Sequence, residues 1–275
     1  MSAYRDLVTH LRSLDDIRAI LAGMRTLAVI ETQRLTRLRD SSQRLRAGLQ
    51  QAARVYRAHY PDAIPSLGAG ITVVIGSEKG LCGDLNEELL RYVRALPADR
   101  ALVLVGDKLA AGAEDLRQVV ARRPGALASD AIAPVLAGLV DTLVGLSAVH
   151  GGPLTLITHD PEQRRIRTQT VLPLPSALPA AAGVSLRLSL PVPAFEAALV
   201  EQYLFATLTG ALQDVLLAEN QQRVAHLQAA VRRLDERCAR FQQQLRRTRQ
   251  EQIIEEVEVA LSIGDSGLGV VQQLT

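Results

Sequence analysis

The chain of 275 residues is 48% hydrophobic and 22% charged, which is enough apolar matter for a packed core in one or two domains. Its net charge of +2, its 3% aromatic content without tryptophan and its two distant cysteines argue against a dedicated nucleic-acid binder, a disulfide framework or a thiolate metal centre. No apolar run is read as approaching the roughly 20 residues that cross a bilayer, and MSAYRDLVTHLRSLDD lacks the core and cleavage site of a signal peptide. A soluble or peripheral protein in a reducing compartment is expected.

All twelve prolines fall between Pro61 and Pro193. Proline removes a backbone donor and clashes with the preceding turn, so the two proline-free ends are free to form long helices. Residues 1–60 carry eleven arginines against five acids, a balance of +6. Their heptads give one seam of Leu7, Leu14, Leu21, Ala28, Leu35, Ser42, Leu49 and Tyr56, and a second of His10, Ile17, Met24, Glu31, Leu38, Leu45 and Ala52. Twelve of these fifteen positions are apolar, a coiled-coil pattern that should stop near Tyr60, ahead of Pro61.

Residues 61–193 read as a compact α/β domain. Strands are expected at Ile71–Ile75, Ala101–Val105, Gln118–Ala121, Leu154–Thr158 and Arg167–Leu172, with helices at Leu85–Ala95 and Ser129–Val149. Alternation of strand and helix implies a mostly parallel, Rossmann-like sheet. The Pro173–Pro193 connection then leads into a second long helix, from about Ala194 to Ile263, before Gly264, Gly267 and Gly269. Its seam runs Leu217, Asn220, Val224, Leu227, Val231, Leu234, Cys238, Phe241 and Leu245. A four-residue stutter passes the stripe to Ile253 or Ile254, Val257 and Leu261. Residues 194–263 hold eight arginines against ten acids, a balance of −2 that suits pairing with the basic first helix. Seventy residues of helix would make a rod of about 100 Å. The whole reads as an α/β fold of three parts, 1–60, 61–193 and 194–275, the outer two forming an antiparallel coiled coil.

The loop GSEKGLCGDLN, Gly76–Asn86, sits at a strand-to-helix junction where glycines could cradle a phosphate. It fits neither GxGxxG nor GxxxxGK[ST], and a structural turn is the stronger reading. Cys82 near the helix start could be a reactive thiol, although no histidine stands at motif spacing and a structural role is favoured. Carboxylate pairs Asp15–Asp16 and Glu255–Glu256 lie on long helices as solvated faces. No catalytic residue, metal site or cofactor site is expected. A coiled-coil scaffold or nucleic-acid arm and a nucleotide-binding enzyme stand as the alternatives.

Four blocks give the chain a resemblance to the γ subunit of F-type ATP synthases. Ile17–Ala28, IRAILAGMRTLA, resembles that family's N-terminal IT-K-AM-MVA, with Ile20, Met24 and Ala28 in register. Val73–Asn86, VVIGSEKGLCGDLN, is similar to a strand followed by GLCGGLN. Leu154–Pro175 resembles the second strand pair with its closing LPLP, and Arg246–Val257, RRTRQEQIIEEV, the C-terminal ARQ-IT-E block. The departures are DDIRAI for NT-KIT, Asp84 for the second glycine, Ala230–Leu234 for ATDNA and Ile254 for threonine. They mark a divergent bacterial member, of the kind expected of a second ATPase in its organism, with sodium coupling one reading.

The resemblance implies a non-catalytic rotor whose helices enter a ring of three α and three β subunits, with the α/β domain meeting ε and the ring of c subunits. Association with the cytoplasmic face of a bacterial inner membrane would come through that complex alone, and no nucleic acid is implied. Carried over residue by residue, Met24, Arg249 and Gln250 match positions at or near the β-subunit loops, and Gly80, Leu81, Cys82 and Gly83 match the signature turn of the central domain. The reaction would reside on the β subunits. No dithiol insert is visible, so redox switching is not implied.

Overall fold

The computed structural model describes residues 2–60, 70–97, 99–175 and 187–271. In order these are α1 (Ser2–His59), β1 (Ile71–Ile75), α2 (Leu85–Arg94), β2 (Ala101–Val105), α3 (Asp107–Ala111), β3 (Val119–Arg123), a 3-10 turn at Ser129–Ala131, α4 (Ile132–Ser147), β4 (Leu154–Asp160), β5 (Arg165–Leu172) and α5 (Val192–Val271). The chain divides into two units, Met1–Thr26 with Leu227–Thr275, and Leu27–His226.

In the larger unit the strand order is β3-β2-β1-β4-β5, parallel except for the antiparallel β4–β5 hairpin. β1 and β2, ITVVI and ALVLV, are buried at every position, as expected of central strands covered on both faces. Alternate residues serve the two faces. Val73, Ile75, Val103, Val105 and Leu156 pack with α4 and α5, and Val74, Leu102, Leu104 and Ile157 pack with α2 and α3. α2 follows its period-3.6 pattern, burying Leu85, Leu89, Leu90 and Val93.

α4 departs from the sequence reading in two ways. The expected helix from Ser129 splits into a 3-10 turn and a shorter helix ending at Ser147. Ser129–Ser147 is also long and apolar enough, by length and composition, to cross a membrane, contrary to the reading that no run approaches that length. Ile132, Leu136, Leu139 and Leu143 are nevertheless buried in the domain core, which accounts for that hydrophobicity along one face.

The centre of α5 is buried all round: from Ala206 to Asn220 every residue but Thr209 is buried. Leu35, Ala53 and Tyr56 of α1 share a core with Leu208, Leu212 and Leu216 of α5. The first α1 seam therefore forms as expected. The second does not: Leu38 and Leu45 are exposed, while Thr32, Arg39, Arg46 and Ala53 turn inward. The reason is Asp214, 4% exposed on α5, which accepts from Arg39 Nε at 2.7 Å and from Arg46 Nη1 and Nη2 at 3.3 Å. Two arginines drawn to one buried carboxylate rotate α1 away from its leucine-rich second stripe. Gly210 makes room for Arg46, because a Cβ there would lie 2.4 Å from the guanidinium carbon.

In the terminal unit the helices run antiparallel. Arg18 Nη1 donates to Asp235 at 3.1 Å, and the His10 ring lies 5.0 Å from that of Phe241. Leu14, Leu227 and Cys238 are buried between them. α5 continues past the expected stop at Ile263, through Gly264, Gly267 and Gly269, to Val271. Glycine weakens a helix by about 1 kcal/mol relative to alanine but keeps its N–H donor, so unlike proline it does not compel an end.

Asp214→Ala leaves Arg46 without its counter-charge and Arg39 with Glu162 alone, and should lower unfolding stability by about 3 kcal/mol in urea titration. Gly210→Ala should cost less, because the displaced Arg46 has a flexible side chain.

Candidate functional site

β1 ends at Ile75, and the next residues make the tight turn that the sequence singled out. Ser77 N–H donates to Asn86 Oδ1 at 3.0 Å, and Asn86 Nδ2 donates back to Ser77 Oγ at 2.7 Å. Cys82 is buried, and its thiol donates to Ser77 Oγ at 3.2 Å. Burial pushes the Cys82 thiol up from its ordinary pKa, so the thiolate is disfavoured and the residue is a structural member of the turn. Leu81 and Gly83 both take left-handed backbone, at φ 63° and 67°. Gly83 does so freely, whereas Leu81 is held there against its preference by the surrounding contacts.

Two carboxylates occupy the donors that a phosphate would need. Glu78 Oε2 accepts from the N–H of Asp107 at 2.9 Å and of Gly125 at 2.6 Å. Glu219, 2% exposed on α5, accepts from the N–H groups of Glu78 and Lys79 at 3.4 and 3.3 Å and pairs with Arg223. Burial raises the Glu219 pKa, opposed by Arg223 and the two backbone donors. Arg223 is held in turn by Asn220 Oδ1 at 2.9 Å. Gly106, at φ 113°, passes so close that a Cβ would lie 2.7 Å from the Ser77 carbonyl. Gly80 has open space around it, and Asp84 stands as the cap of α2 without a side-chain capping bond. This junction is a seal that fastens β1 to α5, and its anion-binding groups are already engaged by the protein's own side chains.

The remaining candidates lie in the terminal unit. Met24 is exposed on α1, and Arg249 and Gln250 are exposed on α5. The structure does not bring them together. The Arg18–Asp235 and His10–Phe241 contacts set Met24 level with about Gln228, and Arg249 near the start of α1, about 30 Å along the pair. Met24 continues an exposed apolar face with Ile17 and Ile20, the latter 62% exposed. Ile253, Ile254 and Val257 of α5 are exposed as well, so the stutter carries its stripe outward; the Leu261 side chain lies outside the described residues. In the larger unit, Leu27, Ile30, Leu38 and Leu45 of α1 are exposed, Leu27 at 70%. Apolar side chains repeated at helical spacing on an open face mark a surface built to meet a partner. Among the described residues no group of three or more His, Cys, Asp or Glu is placed to hold a metal ion.

The sequence reading missed Glu219 and Asp214 as structural centres. Asp214 had a visible signal, being the one charged residue between Glu201 and Glu219 in an otherwise neutral stretch. Glu219 had none, since a carboxylate beside a seam position is ordinary on a solvated face.

The family model described as ATP synthase matches residues 3–260. No curated protein matches the chain. Among solved structures, the rotor of the Euglena gracilis mitochondrial ATP synthase in rotational state 1 is similar at TM-score 0.58 and 17% identity, covering 92% of this chain and 99% of that one. A chain of the same organism's OSCP/F1/c-ring assembly gives 0.61 and 17%, covering 96% and 94%. The central stalk/c-ring of the Tetrahymena thermophila mitochondrial enzyme gives 0.57 and 16%, covering 77% and 99%. At these identities the structural likeness establishes the fold.

Glu219→Ala should expose the Glu78 and Lys79 amides to solvent and speed hydrogen exchange there by tenfold or more, that is by at least about 1.4 kcal/mol of lost protection. Cys82 should at the same time become open to a thiol reagent. Unchanged exchange at both amides would show that the turn holds itself.

Proposed function

Because the chain belongs to the ATP synthase γ-subunit family, we propose that it is the central-stalk rotor of an F1Fo ATP synthase, coupling ion flow through a membrane ring to ATP synthesis or hydrolysis. The observation that carries this reading is the division of labour in the structure. The phosphate-cradle-like turn after β1 is sealed by Glu78 and Glu219, while both long helices leave apolar residues uncovered.

In this reading the terminal unit turns inside a ring of α and β subunits, and the α/β domain seats the stalk on ε and the c ring. An asymmetric shaft touches each of three identical subunits differently. It biases each toward a different affinity by the difference in its contacts, and rotation passes those states around the ring. Burying a large apolar side chain contributes about 1.5–3 kcal/mol. A difference of a fraction of that burial at Ile17, Ile20 and Met24 among the three subunits would therefore supply the roughly 1–3 kcal/mol of bias that allosteric couplings use. A coiled coil suits the task because it is stiff along its axis and presents a different surface at every azimuth. In this reading the catalytic chemistry falls to β. The location that follows is the cytoplasmic side of a bacterial inner membrane, reached through the complex.

Met24, Arg249 and Gln250 are proposed as contacts with the surrounding ring, at two levels along the helix pair. Met24→Lys combined with Arg249→Glu should lower ATP synthesis at least tenfold while ATP hydrolysis by the assembled complex persists. Purification of the chain from its native membranes should recover α, β, ε and c subunits. Unaltered synthesis in the double variant would remove the site assignment, and recovery of none of those partners would remove the rotor role.

A further inference from the structure

In an open α/β sheet, ligands bind outside the carboxyl ends of the strands, where the strand order reverses. With the order β3-β2-β1-β4-β5, that point lies between β1 and β4. The β1 side is closed by the sealed turn. The β4 side is open. There a cavity of ≈ 20 Å³ lined by His159, Ala218 and Gln222 adjoins a groove of ≈ 410 Å³ lined by Thr32, Gln33 and Glu162, and the two share Pro161, Arg164 and Gln221. The groove has the size of a small-molecule site, and the cavity at its foot holds one water-sized group.

The polar groups are of a definite kind. His159 is 3% exposed; its Nε2 lies 3.4 Å from Glu88 Oε2, and its Nδ1 has no hydrogen-bond partner among the described residues. With the proton on Nε2 facing the carboxylate, Nδ1 is a buried lone-pair acceptor that lacks a donor. Arg164 is exposed at φ 49°, one residue before β5, with its guanidinium in no ion pair among the described residues. The acids nearby are otherwise engaged. Glu162 pairs with Arg39 at 2.5 Å, and Asp160 Oδ1 accepts from the N–H groups of Glu162 and Gln163 at 2.8 and 2.9 Å. The site therefore offers one unpaired cation, one acceptor that needs a hydroxyl or amine proton, and the amides of Gln33, Gln221 and Gln222.

We propose that this crevice binds a small protonated oxyanion of the hydrogen-phosphate class, with its anionic oxygens toward Arg164 and its P–O–H donating to His159 Nδ1. The pairing selects against oxyanions that carry no proton, because they leave Nδ1 without a donor and place negative charge against its lone pair. The site is independent of the stalk role, since its residues lie outside the ring-facing set.

The test is a titration of the full chain, labelled with 15N-histidine, with inorganic phosphate and with sulfate at matched ionic strength and neutral pH. Phosphate should shift the His159 ring signals saturably, with a dissociation constant on the order of 1 mM. Sulfate, fully deprotonated at that pH, should bind at least tenfold more weakly. Arg164→Asn removes the charge and keeps a residue that tolerates left-handed backbone, so it should weaken phosphate at least tenfold with an unchanged melting curve. A non-saturating phosphate response, an equal response to sulfate, or unaltered affinity in the folded variant would each overturn the proposal.

Discussion

One buried carboxylate sets how the first helix lies on the last. Asp214 sits where α5 is buried on every side, and Arg39 and Arg46 can satisfy it only if α1 presents their face inward. Such clusters gain little net stability, because removing the charges from water costs about as much as their attraction returns. Their effect is to make other rotations worse, since any of them strands the carboxylate. Arg39 extends the link to Glu162, so the same setting fixes α1 against the β4–β5 hairpin. The apolar stripe on the opposite side of α1 is left uncovered as a direct consequence.

The α/β sheet shows the same use of charge for placement. Its topology and its glycine-bearing turn are those from which nucleotide sites are built. Here the backbone donors meet Glu78 and Glu219, and the latter comes from α5, more than 130 residues away in sequence. A turn closed in this way transmits position: a movement of α5 must move β1 with it or expose a buried carboxylate. For a subunit proposed to carry torque between its helices and its domain, a stiff junction of this kind serves better than an open ligand site.

Much of this plan was legible in the sequence, and the reasons are local. Proline placement bounded the helices because proline acts on its own turn. ITVVI and ALVLV announced themselves because strands buried on both faces must be apolar throughout. α3 escaped notice because Asp107–Ala111 is a single turn with one buried residue, Leu109. The phase of the α1 seams was misread because Leu38 and Leu45 outscore Arg39 and Arg46 on hydrophobicity. Only the partner helix, by supplying Asp214, reverses that preference. The second seam is real as a pattern, but the chain does not pack it against itself. Met24 and Arg249 were placed by resemblance, and the distance between them depends on an antiparallel register that neither segment contains alone.

The structure thus sorts its helix residues by task. Positions that fix placement are charged and buried or half-buried, namely Arg39, Arg46, Asp214 and Glu219; positions left uncovered are apolar, namely Ile17, Ile20, Met24, Leu27 and Ile30. A shaft gains from that sorting. If the rotation-setting contacts were apolar, sliding by one turn would exchange one leucine for another at small cost, and the outward surface would lose a defined azimuth. Charged contacts have no equivalent one turn away, so within the larger unit Leu27 and Ile30 keep a single outward orientation. Under the proposed role, an outward face with one orientation is what a surrounding ring would read if three identical subunits are to be held in three different states.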